Sequence, residues 1–290
     1  MKQYTITEFR KQYPTDDVCL EKLFEVKYGK LKGCPSCGVA GVEFKRISTR
    51  RCYQCVDCGH QLYPTQGTVF EKTRTPLTYW FYSIYLFSVT RNGVAAKELE
   101  RQLGVTYKTA FRMAHQIRIL LANQSPDKLM GEVMMDEVFI GGQDKFKHDH
   151  QVKGRDGYVN KQAVFGMMEK DGRVITKVVD EVDGVTLKPI IRENVDKDSI
   201  IVTDGFGAYS GLKKEYKQHE IINHTGGEYV HNGYTTNHIE NYWSTLKRMI
   251  KGTHIHVSKK HLPKYLAENT FRYEHRKDPA NMFETILKRA

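Results

Sequence analysis

The chain has no run of the roughly 18 uninterrupted apolar residues that a membrane-crossing helix needs, and its richest stretch, Trp80 to Val89, is too short. It opens Met-Lys-Gln-Tyr-Thr-Ile-Thr-Glu, without an apolar signal region. Both absences argue against a membrane partner and lead to the expectation of a soluble cytoplasmic protein. Internal repeats and long low-complexity segments are also missing, and nothing in the composition requires disorder. Acid is the scarcer charge, with 34 Asp and Glu against 45 Lys and Arg, a net charge of +11. Such a balance favours a polyanionic partner. Cysteine is scarce everywhere but one place: five of six lie between Cys34 and Cys58.

At 290 residues and 40% hydrophobic content, the chain can fill one large core or two or three smaller ones. The basic surplus is uneven. From Asn241 onward there are eleven Lys or Arg against four Asp or Glu, interleaved with Tyr242, Trp243, Tyr265, Phe271 and Tyr273. A tail of this kind packs its rings on a core and offers its cations to phosphate, or simply to water.

The cysteines form two knuckles, Cys34-Pro35-Ser36-Cys37-Gly38 and Cys55-Val56-Asp57-Cys58-Gly59. Paired C-x-x-C turns at this separation favour one tetrahedral Zn²⁺ in a structural zinc ribbon. Cys34, Cys37, Cys55 and Cys58 are assigned because a glycine follows each pair, with Cys52 as the alternative fourth ligand. A reducing compartment disfavours disulfides here. Cys19 reads as a small core residue of an amphipathic helix. Arg46, Arg50 and Arg51, between the knuckles, face DNA or water.

Pro76 stands near the first turn of an aromatic helix ending about Val89. Two shorter helices follow, Val94 to Leu103 and a second from Thr106, joined by Gly104-Val105. Ala96, Leu99 and Leu103 keep helical spacing and Thr106 can cap the second helix. The pattern is a helix-turn-helix whose second helix carries Tyr107, Lys108 and Arg112 toward DNA; an ordinary helical hairpin is the competing reading. Asn123-Gln124-Ser125-Pro126-Asp127 reads as a linker.

Beyond it the pattern turns to strands at Glu132–Ile140, Gln162–Glu169 and Val174–Val182, a helix at Thr186–Glu193, and a strand at Ser199–Thr203. A helix near Ala208–Tyr216, a strand near Glu220–Asn223 and a helix opening at Asn237 complete a mixed α/β layer with an antiparallel portion. Three acids stand out: Asp136 and Asp204 on strands, and Glu240, which follows Asp204 after 35 residues, on a helix. Convergent carboxylates from distant segments are what Mg²⁺ takes, and two such ions about 3.5–4 Å apart serve phosphodiester chemistry. Each acid has a plainer explanation. Glu137 can replace Asp136, since successive strand residues face opposite sides; Asp204-Gly205 can be a turn; Glu240 can close a capping box on Asn237. Lys247 lies two turns, about 10 Å, beyond Glu240 on the same face, suited to a DNA phosphate or to solvent. His224, His231, His238, His254 and His256 match no tight ligand spacing and read as surface or DNA-facing residues.

Taken in order, the two knuckles, Gln66-Gly67-Thr68-Val69-Phe70, Leu103-Gly104-Val105-Thr106-Tyr107-Lys108-Thr109-Ala110, Asp136-Glu137-Val138-Phe139-Ile140-Gly141-Gly142, Thr203-Asp204-Gly205-Phe206-Gly207-Ala208-Tyr209 and Asn237-His238-Ile239-Glu240-Asn241-Tyr242-Trp243 with Lys247-Arg248 carry a resemblance. The chain resembles the bacterial insertion-sequence transposases of the DDE class, in the ISXO-like group with an N-terminal zinc ribbon. The resemblance implies an α/β fold: an RNase H-like mixed-sheet catalytic domain preceded by a zinc ribbon and a helix-turn-helix region. It selects Asp136 over Glu137 and implies that Asp136, Asp204 and Glu240 hold two Mg²⁺ or Mn²⁺ ions. Lys247 and Arg248 then contact DNA beside them. Water cleaves a strand at the element end, and the freed 3′-hydroxyl attacks target DNA. The implied partners are double-stranded DNA, as terminal inverted repeats and target, and further copies of the chain in a homodimer or larger assembly, at the bacterial nucleoid. The alternatives are a DNA-binding regulator derived from a transposase and a metal nuclease without strand transfer. The expected organisation is residues 1–30 as an N-terminal helical segment, 31–66 as the ribbon, 67–124 as the helix-turn-helix region and 130–290 as the catalytic domain with its basic tail.

Overall fold

The computed structural model describes residues 4–122, 127–141, 161–170, 172–223, 226–227 and 229–290. The chain divides into two compact units, residues 1–121 with 277–290, and residues 122–276. The expected linker falls largely outside the described residues, as does His224.

The first unit opens with α1 (Ile6–Gln12), started by a capping box between Thr5 and Glu8, and α2 (Asp16–Tyr28), capped by Thr15. A three-stranded antiparallel sheet follows, β1 (Phe44–Ile47), β2 (Cys52–Cys55) and β3 (Gln61–Leu62). Helix α2 packs on it through Phe24 against Tyr53, ring centroids 4.2 Å apart, and through Asp17, which pairs with Arg46 at 2.8 Å. That pair occupies one of the arginines expected to face DNA or water. Then come α3 (Leu77–Val89), α4 (Ala96–Leu103) and α5 (Tyr107–Leu121). Gly104 ends α4 at φ 64°, the left-handed conformation that glycine takes without strain. The Thr106 hydroxyl accepts from the Thr109 amide at 3.4 Å, so the turn expected at Gly104-Val105 is where the chain reverses.

The second unit is a five-stranded sheet of β4 (Glu132–Gly141), β5 (Lys161–Glu169), β6 (Val174–Val179), β7 (Ile200–Asp204) and β8 (Gln218–Ile222), with α6 (Gly184–Asn194) between β6 and β7. Its spatial order is β6-β5-β4-β7-β8. The first three strands run antiparallel, and β7 and β8 add in parallel beside β4. This is the RNase H-like mixed sheet. After β8 come α7 (Asn237–Met249), a π-helical turn at Ile250–His254, and α8 (Leu262–Glu274).

Alternation along the strands sends side chains to two cores. Met134, Val138, Val164, Met168 and Val202 meet Ile239, Trp243 and Leu246 of α7. Val133, Met135, Phe165, Met167 and Ile201 meet Leu187, Ile191 and Tyr209 on the other face. The position of α7 over one face is what brings Trp243 to Asp136 within β4.

Two local readings give way. The helix expected near Ala208–Tyr216 is two 3₁₀ turns, Gly207–Tyr209 and Leu212–Lys214, because Gly211 between them sits at φ 90° and cannot continue a helix. Asn237 is the first residue of α7 and Thr236 holds the N-cap position, so Glu240 does not form the box considered with Asn237. The last helix, α9 (Met282–Lys288), belongs to the first unit, although the sequence places residues 130–290 together. Its Phe283 joins a ring cluster with Tyr4, Phe9, Tyr13 and Phe81, a burial unavailable to so short a helix by itself. Among the described residues no helix is long and apolar enough to cross a membrane.

Candidate active site and metal centre

Asp136 sits within β4 and Asp204 at the end of β7. The parallel register pairs Val133 with Ile201 and Met134 with Val202. The ladder ends there, and Asp136 and Asp204 each follow its last pair by two residues. In-register neighbours share a face, and both acids are even-numbered like Met134 and Val202, which line the core beneath α7. Glu240 lies in the first turn of α7, on the same side of the sheet. Glu137 points to the opposite face, where the Tyr209 hydroxyl donates to its carboxylate.

Electrostatics tie the acids together. Burial pushes Asp136 up to about 6, and the charges of Asp204 and Glu240 push in the same direction. Glu137 is raised to about 7, first by burial and then by Asp136 and Asp204, against the lowering effect of the Tyr209 hydrogen bond. A carboxyl raised on folding favours its protonated form, so its contribution to stability is present below the unfolded value and is lost as pH rises through the folded one. We therefore expect the metal-free protein to lose stability between about pH 4 and 7. Asp136, moved from 3.8 to about 6, accounts for about 3 kcal/mol of that loss at 1.36 kcal/mol per unit. Denaturant unfolding with and without Asp136→Asn checks this. A pH dependence unchanged by the substitution would contradict the burial described for Asp136.

The Trp243 indole donates to the Asp136 carboxylate, with Nε1 3.0 Å from Oδ2, beside a backbone hydrogen bond from Glu137. Trp243 is 3% exposed and lies one turn after Glu240. Glu240 is exposed and accepts from the Thr236 hydroxyl at 2.9 Å. Lys247 and Arg248, two turns on, are exposed as well. With Lys161, Lys251 and His256, Lys247 lines a pocket of about 240 Å³ floored by Phe139 and Ile250. Asp204 opens on a separate cleft of about 500 Å³ with Phe206, Lys213 and His219.

In the first unit, Cys34, Cys37, Cys55 and Cys58 bring their sulfurs within 4.8 Å of one another, the one such His, Cys, Asp or Glu set among the described residues. Cys34 and Cys58 are 3.7 Å apart and Cys37 and Cys55 4.0 Å. Cys52 stands outside the set, its thiol against Gln61. Four thiolates at these distances fit Zn²⁺. The three carboxylates do not meet the same closeness. Their chemistry nonetheless fits a hard divalent cation, because they are oxygen ligands whose mutual repulsion a cation would relieve.

On the helix-turn-helix, Tyr107 and Lys108 are exposed. Arg112 is exposed too, with its guanidinium carbon 5.6 Å from the buried Trp80 ring, and Lys97 lies 5.1 Å from the Tyr107 ring. In the basic tail, Arg272 is buried and paired with Glu268 at 3.0 Å, so part of the counted charge is neutralised inside the unit.

The sequence reading missed Trp243 as a polar partner, seeing only an apolar stripe, and passed over Gly166. Glycine inside the apolar run Ala163–Met168 marks a close approach by another group. Trp243 is that group: a Cβ on Gly166 would lie 2.4 Å from the indole Cζ2.

The four-cysteine module, the two helices joined at Gly104 and the mixed sheet that carries Asp136 within β4 and Asp204 at the end of β7 are the parts that the resemblance to transposases implies. A family model described as the ISXO2-like transposase domain matches residues 128–274, and one described as the transposase zinc-ribbon domain matches residues 14–61, taking in α2. The chain belongs to the ISXO2-like transposases. A protein in transposable element ISH50 of Halobacterium salinarum is 28% identical over 89% of this chain and 90% of its own length. A transposase-like protein of Haemophilus influenzae is 38% identical over 35% of this chain and 80% of its own. Among solved structures, the Mos1 strand transfer complex aligns with 14% identity and a TM-score of 0.33, covering 74% of this chain and 76% of that one.

Proposed function

We propose that the protein binds the terminal inverted repeats of its insertion sequence and catalyses metal-dependent strand cleavage and strand transfer. The observation that carries this reading is the placement of Asp136 and Asp204 on neighbouring parallel strands, with Glu240 on the helix above the same face and the charges of Asp204 and Glu240 both acting on Asp136. Asp136, Asp204 and Glu240 would hold Mg²⁺ or Mn²⁺, which when bound supplies an activated oxygen nucleophile and charge stabilisation at the phosphodiester. The chain's own part is to fix the carboxylates, keep Asp136 partly shielded from water, and lay the strand across Lys247. Cys34, Cys37, Cys55 and Cys58 hold a structural Zn²⁺. Tyr107, Lys108 and Arg112 on α5, and Lys247 with Arg248 on α7, face the DNA. Two element ends must meet, so the working form is a homodimer or larger.

An end-containing duplex incubated with Mg²⁺ tests the proposal. Strand transfer supports it, cleavage alone supports a nuclease, and binding alone a regulator. Lys247→Ala should weaken end binding at every sequence tested and reduce the slope of log affinity against log salt by about 1. An unchanged slope in a fluorescence-anisotropy titration would remove Lys247 from the phosphate contacts.

A further inference from the structure

Gly166 is the cross-strand partner of Asp136. Its neighbours on the same face of β5, Val164 and Met168, belong to the core under α7, so glycine leaves a gap in an otherwise continuous side-chain layer. The Trp243 indole fills that gap: a Cβ at Gly166 would stand 2.4 Å and 2.6 Å from two of its ring carbons, and 3.2 Å from Ile239 Cδ1. Lying there, the ring aims Nε1 across to β4 and donates to Asp136 Oδ2 at 3.0 Å. The helix that presents Glu240 thus also holds Asp136, from a residue three positions away.

We propose that Trp243, seated on Gly166, is a positioning residue that fixes the Asp136 carboxylate for divalent-cation binding and couples its orientation to the docking of the Glu240 helix. The inference rests on the three-acid reading above. An indole N–H suits the task because it is neutral, so it orients one oxygen, Oδ2, without competing for the cation by charge. Its rigid bicycle is 3% exposed and lies against Gly166. Partners that orient a ligand in this way typically change metal affinity about 10- to 100-fold when removed.

The test is Mn²⁺ binding to the full-length, DNA-free protein by calorimetry, beside the Mg²⁺ dependence of single-turnover cleavage. Trp243→Phe keeps a ring over Gly166 and deletes the donor. Replacing Trp243 with 3-benzothienylalanine deletes the N–H while keeping the bicyclic shape, so a folding defect in the phenylalanine variant does not decide the outcome. Gly166→Ala keeps the donor and displaces the ring. All three are expected to bind Mn²⁺ about tenfold more weakly and to need correspondingly more Mg²⁺ for half-maximal cleavage, with melting of the benzothienyl protein close to wild type. Wild-type Mn²⁺ affinity in the benzothienyl and phenylalanine proteins would overturn the positioning role, while Asp136→Asn, if it abolishes binding in the same assay, leaves the three-acid site standing. Undiminished binding by Asp136→Asn would bring down the site itself and the role of Trp243 with it.

Discussion

Asp204→Asn is expected to reduce both cleavage and strand transfer by at least about 10³-fold, since the stabilisation a catalytic cation supplies is several kcal/mol and each 1.36 kcal/mol is tenfold. Asparagine keeps the shape and one oxygen but removes an anionic ligand. The same change relieves its neighbours: the Asp204 charge raises both Asp136 and Glu137, so the metal-free variant should be at least as stable as wild type near pH 8. DNA binding should persist. Loss of chemistry with gain of stability is the signature of a functional acid, whereas a turn-forming aspartate would show destabilisation and retained activity. Asp204 does accept from the Phe206 amide at 3.0 Å, and the asparagine oxygen can keep that bond. Glu240→Gln should behave alike, because glutamine retains an acceptor for the Thr236 hydroxyl. Labelled element ends followed through a single turnover, together with thermal melts, check both variants. Unchanged strand transfer in Asp204→Asn would reject the site.

Removal of zinc is the second large effect. The ribbon sheet is short, with β3 only two residues long. Metal binding in modules of this kind supplies about 10–16 kcal/mol at neutral pH, more than the total stability of many domains. Cys37→Ser, or a strong chelator, is therefore expected to unfold the ribbon and abolish specific end binding. The metal content should fall from one zinc per chain to about none by elemental analysis. Cys52→Ser is the discriminating control. Cys52 is fully buried on β2 but outside the four-sulfur set, so its replacement should cost modest stability and leave the zinc in place. Zinc retained in Cys37→Ser and lost in Cys52→Ser would reverse the ligand assignment.

Much of the catalytic unit was legible because its signals are local. The runs ending near Asp136 and Asp204 are apolar on both faces, as central strands must be, and β4, β5 and β7 lie within a residue or two of the expected bounds. The knuckles announce themselves through spacing and trailing glycines. The helix expected near Ala208 is divided in two because apolar periodicity takes no account of Gly211, whose backbone is left-handed. The first turn of α7 was read one residue late, since Asn237 and Thr236 are both plausible caps and only the backbone separates them.

The sequence by itself determined the two cysteine knuckles and the order of the strands along the chain, both of them consequences of spacing and periodicity. Only the tertiary structure decided which way Asp136 and Glu137 face, because alternation fixes that the two differ but not which face receives α7. It also decided that Gly166 and Trp243 meet, 77 residues apart, and that α9 returns to the first unit. Contacts of that kind depend on which buried surfaces find each other. That choice is made by the packing of whole elements, and no window along the chain contains both partners.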